Sequence, residues 1–178
     1  MNQGDMLTRK YNDSRYLLWL AVLFFLVGFR WSWPGGIKTW ADVDTFISKK
    51  YPRVNHISTG ELYSLFSNGR TLYLFDIRTP EEFAVSHLHG AVRAEKAEEV
   101  DLPRDTFIIA YCSVGVRSAA FIRDLQQEGY LQAYNLRGSL FEWANKGYPL
   151  EREGKSVYKV HPYDSKWGLF LEKKLHNE

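Results

Sequence analysis

The chain has 178 residues, a single cysteine and a formal net charge of +2. That length suits one core of ordinary size, and the near-neutral balance gives no strong pull toward nucleic acid. One cysteine excludes an intramolecular disulfide and any multi-cysteine metal site, and the five histidines lack the paired spacing of a zinc motif.

The first feature in chain order is an apolar run. Residues 16–29 carry no charge, Arg15 and Arg30 bracket them, and Trp31 and Trp33 follow. Those 14 residues fall short of a full membrane span, which needs about 20. Extending the run to Trp33 gives 18, with Arg30 snorkelling and the tryptophans in the interface. Residues 16–33 therefore read as an uncleaved single-pass membrane anchor. A signal peptide needs a small-residue cleavage site, and Phe29-Arg30-Trp31-Ser32-Trp33-Pro34 is bulky. A buried core helix is disfavoured because nearly every face is apolar. Arg9, Lys10 and Arg15 before the run, against Arg30 and Lys38 after it, lean only slightly toward an inside amino terminus.

Pro34-Gly35-Gly36 forms a hinge. Residues 39–51 read as a short helix: Thr39 caps it with Asp42 three residues on, Val43, Phe46 and Ile47 form its stripe, and Pro52 ends it. Ser58 and Glu61 make a capping box for a helix through residue 66, and Asn68-Gly69 turns the chain. Residues 71–77 form a strand whose apolar run implies burial on both faces. Thr79-Pro80-Glu81-Glu82 is another capping box, with proline at the first helical position. Ala91 and Val92 begin a short strand, residues 107–111 form the central one, and residues 118–128 form a helix stopped by Gly129. Residues 133–136 are the next strand. Ser139 with Glu142 is expected to cap the last helix, which Gly147 and Pro149 end. Residues 151–155 are charged and read as a loop, and residues 157–160 could add an edge strand. Trp167, Leu169, Phe170 and Leu171 are too apolar for a free tail and are expected to pack on the domain or on the 39–51 helix.

Strands alternating with helices imply an α/β fold with a parallel sheet covered on both faces. Sites in such sheets lie at the carboxyl ends of strands, where Asp76 and Cys112 fall. Cys112 ends the apolar strand, Arg117 follows in the next helix, and Gly115 lets the backbone curl between them. A thiol facing a helix amino end, with convergent N–H groups and a guanidinium nearby, is held as a thiolate. An inert buried cysteine is the plainer reading of a lone thiol, and this strand–loop–helix context argues against it.

Four stretches, in order, resemble the rhodanese family of sulfurtransferases over residues 54–150. They are Leu74-Phe75-Asp76-Ile77-Arg78-Thr79-Pro80-Glu81-Glu82-Phe83, His87-Leu88-His89-Gly90-Ala91, the cysteine loop, and Leu136-Arg137-Gly138-Ser139-Leu140-Phe141-Glu142-Trp143 with Gly147-Tyr148-Pro149. Ser86 and Ser139 stand where the family commonly has glycine; both departures are expected to matter little and to leave the cysteine loop untouched. The resemblance implies a three-layer fold around a five-stranded parallel sheet in the order 1-5-4-2-3. It implies a persulfide on Cys112, held by the loop Ser113, Val114, Gly115, Val116 and Arg117, with no cofactor or metal. Asp76 is expected to accept N–H bonds from that loop, and Arg78 to pair with Glu81 or Glu82; the plainer reading of both is an ordinary strand-end ion pair. The partners implied are thiosulfate or a persulfide as sulfur donor and cyanide or a thiol as acceptor, with no nucleic acid. Around the 54–150 domain lie a tail (1–15), the anchor (16–33), a hinge with its short helix (34–53) and a carboxyl-terminal extension (151–178). Related phosphatases need a Cys-x5-Arg cradle, one residue longer than the six-residue loop here. A non-catalytic binding or sulfide-sensing module would use the same activated thiol.

Overall fold

The computed structural model describes residues 36–177. The apolar run at 16–33 lies outside the described residues; among the described residues no helix is long and apolar enough to cross a membrane. Five parallel strands form the central sheet: β1 (Asn55–Ile57), β2 (Tyr73–Asp76), β3 (Val92–Arg93), β4 (Ile108–Tyr111) and β5 (Ala133–Leu136). Their order is β1-β5-β4-β2-β3, as the family resemblance implies. The middle strand β4 is buried along its whole length, as its run Ile108-Ile109-Ala110-Tyr111 requires with helices on both faces. Strand β2 is shorter than its apolar pattern suggests, and Tyr73 at its start is exposed.

Helices α1 (Trp40–Lys50), α2 (Thr59–Ser67) and α3 (Pro80–Val85) each start on the capping box expected of Thr39, Ser58 and Thr79. Helices α4 (Val116–Gln127) and α5 (Ser139–Asn145) start differently. Both are preceded by a glycine in the left-handed region, Gly115 (φ 102°) and Gly138 (φ 72°), and neither has a side-chain cap. Helix α4 therefore begins two residues before the expected Ser118. Ser139 does not cap α5; it is the first helical residue, itself at φ 50°. Helix α1 packs beside α4, and α2 beside α5, where Trp143 meets Phe66 edge-on.

The segment after the last helix is also a correction. Residues 151–155 are not a loop but the heart of an antiparallel hairpin, β6 (Leu150–Arg152) with β7 (Lys155–Val157), a sheet of its own rather than an edge of the main one. Glu153 and Gly154, both at positive φ, make the tight turn that such hairpins favour. Backbone bonds in both directions join Glu151 to His87, and His89 Nδ1 lies 2.6 Å from Glu151 Oε2. Farther on, Phe170 and Leu171 are buried, and Phe170 meets Trp40 edge-on with ring centroids 5.0 Å apart. Leu169, by contrast, projects into solvent.

Candidate active site

Cys112 leaves β4 at its carboxyl end, and three neighbouring elements hold the loop that follows. The first turn of α5 takes the loop carbonyls: Leu140 N–H donates to Cys112 O at 3.1 Å and Phe141 N–H to Ser113 O at 3.0 Å. Gly115 N–H donates to Cys112 Sγ at 3.2 Å, a geometry its positive φ permits. Space at that glycine is close. A Cβ there would meet Ile47 of α1, Leu136 O and Asn135 at 3.4–3.5 Å. Asn135 donates to Gly115 O at 3.2 Å and accepts from Ser118 Oγ at 2.6 Å, which ties the loop to β5.

Glu82, on α3, supplies the third tie. Only 1% exposed, its carboxylate accepts from Ser113 Oγ at 2.8 Å and from both terminal nitrogens of Arg117 at 2.7 and 2.8 Å. Arg117 also donates to Ser113 Oγ at 3.0 Å. Burial alone would push the Glu82 carboxyl up, but the Arg117 guanidinium, the Thr79 N–H and the Ser113 hydroxyl bring it down to about 2. The same glutamate completes the capping box of α3. One residue thus starts a helix and fixes the arginine of the cysteine loop.

The thiol of Cys112 is 1% exposed. Burial raises its pKa, yet the Arg117 charge, the Ser118 N–H and hydroxyl and the Gly115 N–H outweigh it, and the net shift is downward. Of the other loop residues, Ser113 and Val114 are buried, while Val116 and Arg117 keep partial access to solvent. Arg117 also lines a groove of about 570 Å³ beside the loop, with Arg78, Thr79, Arg93, Lys96 and Asp124 on its other walls. On the guanidinium lies the ring of Tyr163, 4.8 Å from Cζ to centroid.

Of the two readings of Asp76 and Arg78, the structure shows the plainer one, a strand-end ion pair. Arg78 reaches neither Glu81 nor Glu82; it folds back onto Asp76, with Nη2 2.6 Å from Oδ2, and donates to Ser86 O at 2.6 Å. Asp76 accepts the backbone N–H and two guanidinium nitrogens of Arg78 rather than N–H groups of the cysteine loop. Both side chains are fully buried, so each is the neutralising partner the other needs. Ser139 is a further correction: its hydroxyl accepts the Cys112 N–H at 3.2 Å and donates to Leu136 O at 3.0 Å, so this departure from glycine does touch the loop.

Residues 58–146 match the Rhodanese-like domain family. A sulfurtransferase of Allochromatium vinosum is 32% identical over 101 residues, covering 54% of this chain and 94% of its own. A probable adenylyltransferase/sulfurtransferase of Mycobacterium tuberculosis is 32% identical over 99 residues, 52% of this chain; the match spans 25% of that longer protein. Among solved structures, a thiosulfate sulfurtransferase from Pseudomonas aeruginosa superposes with a TM-score of 0.55 at 17% identity, over 66% of this chain and 24% of its own. That last likeness is one of fold.

Proposed function

The chain belongs to the rhodanese-like family, which includes sulfurtransferases, and from that premise we propose that it carries sulfane sulfur on Cys112. The observation that supports this most is the thiol itself: its pKa is lowered although it is buried, with Gly115 N–H on the sulfur and Arg117 beside it. A lowered thiol pKa enlarges the thiolate share, and the thiolate is the nucleophile.

The reaction proceeds in two displacements. The Cys112 thiolate attacks the outer sulfur of thiosulfate, a sulfur–sulfur bond forms, and the bond to the inner sulfur breaks with its electron pair leaving on sulfite. Cys112 then holds a persulfide anion, stabilised by N–H groups of the loop from Ser113 to Arg117. An acceptor such as cyanide attacks the terminal sulfur, and the electron pair of the breaking bond returns to the thiolate. Every leaving group departs as an anion, so no acid is needed at sulfur. A persulfide donor or a thiol acceptor fits the same scheme. Arg117 draws the anionic donor and shapes the loop; it transfers no proton.

The test is an intact mass taken under non-reducing conditions after incubation with thiosulfate. A gain of one sulfur atom that disappears in Cys112→Ser is expected. No gain, or one that survives the substitution, overturns the reading. Turnover with thiosulfate and cyanide then separates an enzyme from a sensing module that uses the same thiol. We also propose that residues 16–33 anchor the chain in a membrane, on the sequence pattern alone. The full chain is then expected to sediment with membranes and to resist carbonate and salt; release by salt would mean surface attachment instead.

A further inference from the structure

Tyr163 lies beyond the family span of residues 58–146, and its backbone is at φ 68°. A bulky non-glycine residue in that region is strained and persists only where its surroundings fix it. Here they do. Tyr163 N–H donates to His161 Nδ1 at 3.0 Å, and Asp164 Oδ1 accepts the N–H groups of Lys166 and Trp167. The base of the turn is clamped where Val160 N–H donates to Leu175 O and Asn177 N–H to Val160 O. Core burial does not explain the strain, because Tyr163 is 44% exposed. What the turn achieves is the placement of a phenol ring on the guanidinium of Arg117.

We propose that Tyr163 is a positioning residue for Arg117, setting how strongly the cysteine loop draws an anionic reactant. Glu82 and Ser113 hold the edge of the guanidinium and Tyr163 covers its face. A guanidinium fixed in this way keeps its field on the sulfur, whereas one free to swing into water loses it to solvent. The consequence for thiosulfate rests on the sulfurtransferase reading; the consequence for thiol reactivity does not.

The experiment uses the full chain with Tyr163→Phe, Tyr163→Ala and Tyr163→Gly. Cys112 is alkylated with iodoacetate, an anion, and with iodoacetamide, its neutral counterpart. The ratio of the two rates reads the field at the sulfur without any sulfur transfer. Tyr163→Phe keeps the ring and is expected to match the parent chain. Tyr163→Ala and Tyr163→Gly are expected to lower the ratio about fivefold, to raise the pH midpoint of alkylation, and to raise KM for thiosulfate more than they lower kcat. Glycine also relieves the strain, so Tyr163→Gly should melt no lower than the parent. An unchanged ratio in Tyr163→Gly, or a phenylalanine variant that behaves like glycine, overturns the proposal. A lowered ratio in a protein that takes up no sulfur would leave the positioning role standing and sink the sulfurtransferase reading.

Discussion

Two carboxylate–arginine pairs stand close to the carboxyl end of the sheet, and they have been put to opposite uses. Asp76 and Arg78 are both fully buried, and Arg78 is held by Asp76 and by Ser86 O. Glu82 is as deeply buried, but its arginine is not: the Arg117 side chain is 32% exposed and faces the thiol as well as the carboxylate. A pair buried on both sides serves to hold the end of β2. A pair closed on one side holds an arginine still while leaving part of its field for the sulfur. Full burial fixes structure; half burial leaves chemistry available.

The most severe way to break this comparison is Asp76→Asn. It leaves the Arg78 charge buried and unpaired, and is expected to cost about 3–5 kcal/mol in urea unfolding. The alkylation midpoint of Cys112 in the folded protein should stay where it was. A shifted midpoint would mean that the two pairs are not separate devices.

Glu82→Gln comes next. Glutamine keeps the capping box and removes the charge. A carboxyl held near 2, against an ordinary 4.5, corresponds to roughly 3 kcal/mol at neutral pH, and the partial exposure of Arg117 trims the loss to about 2 kcal/mol. Because the folded-state pKa is depressed, this contribution is complete above about 4.5 and is lost as pH falls toward about 2. Unfolding free energy against pH should therefore be steeper over that acid window in the parent chain than in Glu82→Gln. Parallel curves would show that the pair contributes nothing to folding.

Arg117→Ala sharpens the contrast from the other side. It removes the other half of the same pair and leaves the buried Glu82 carboxylate without its counter-charge, so the stability loss should be at least that of Glu82→Gln, about 2 kcal/mol, while in the folded protein the alkylation midpoint of Cys112 rises and kcat/KM for thiosulfate falls about tenfold. If both kinetic readouts are unchanged, Arg117 is only structural. The mildest change expected is Ser139→Gly, which relieves φ 50° but removes the acceptor of the Cys112 N–H. These two effects offset each other to within about 1 kcal/mol. Hydrogen exchange at the Cys112 N–H should nonetheless quicken, since its partner is gone.

How far the sequence foretold these features depends on the distance over which each acts. Capping boxes join residues three apart, so Thr39, Ser58 and Thr79 were readable directly from the chain. The buried run of β4 and the glycine at position 115 were equally local, and strand order followed from the family resemblance. The roles of Glu82, Ser139 and Tyr163 were not readable. Glu82 reaches Ser113 across 31 residues and Arg117 across 35, and Ser139 reaches Cys112 across 27. Glu82 and Ser139 each already had a local reading as part of a cap, which concealed the long-range one, and Tyr163 lay outside every motif. For Arg78 the sequence left two readings open, a partner among two nearby glutamates and a plain strand-end ion pair, and burial with Asp76 two residues back decides for the second. The Glu153-Gly154 turn was legible in principle, but the charge around it read as a loop.

The buried Cys112 is the only thiol in the chain. If peroxide converts it to a sulfenic acid, no second cysteine in this chain can close a disulfide and halt the oxidation there. Protection against the irreversible sulfinic and sulfonic stages must then come from outside, from a reductant that can reach a sulfur only 1% exposed. The steric closure around this site therefore governs repair as well as reaction.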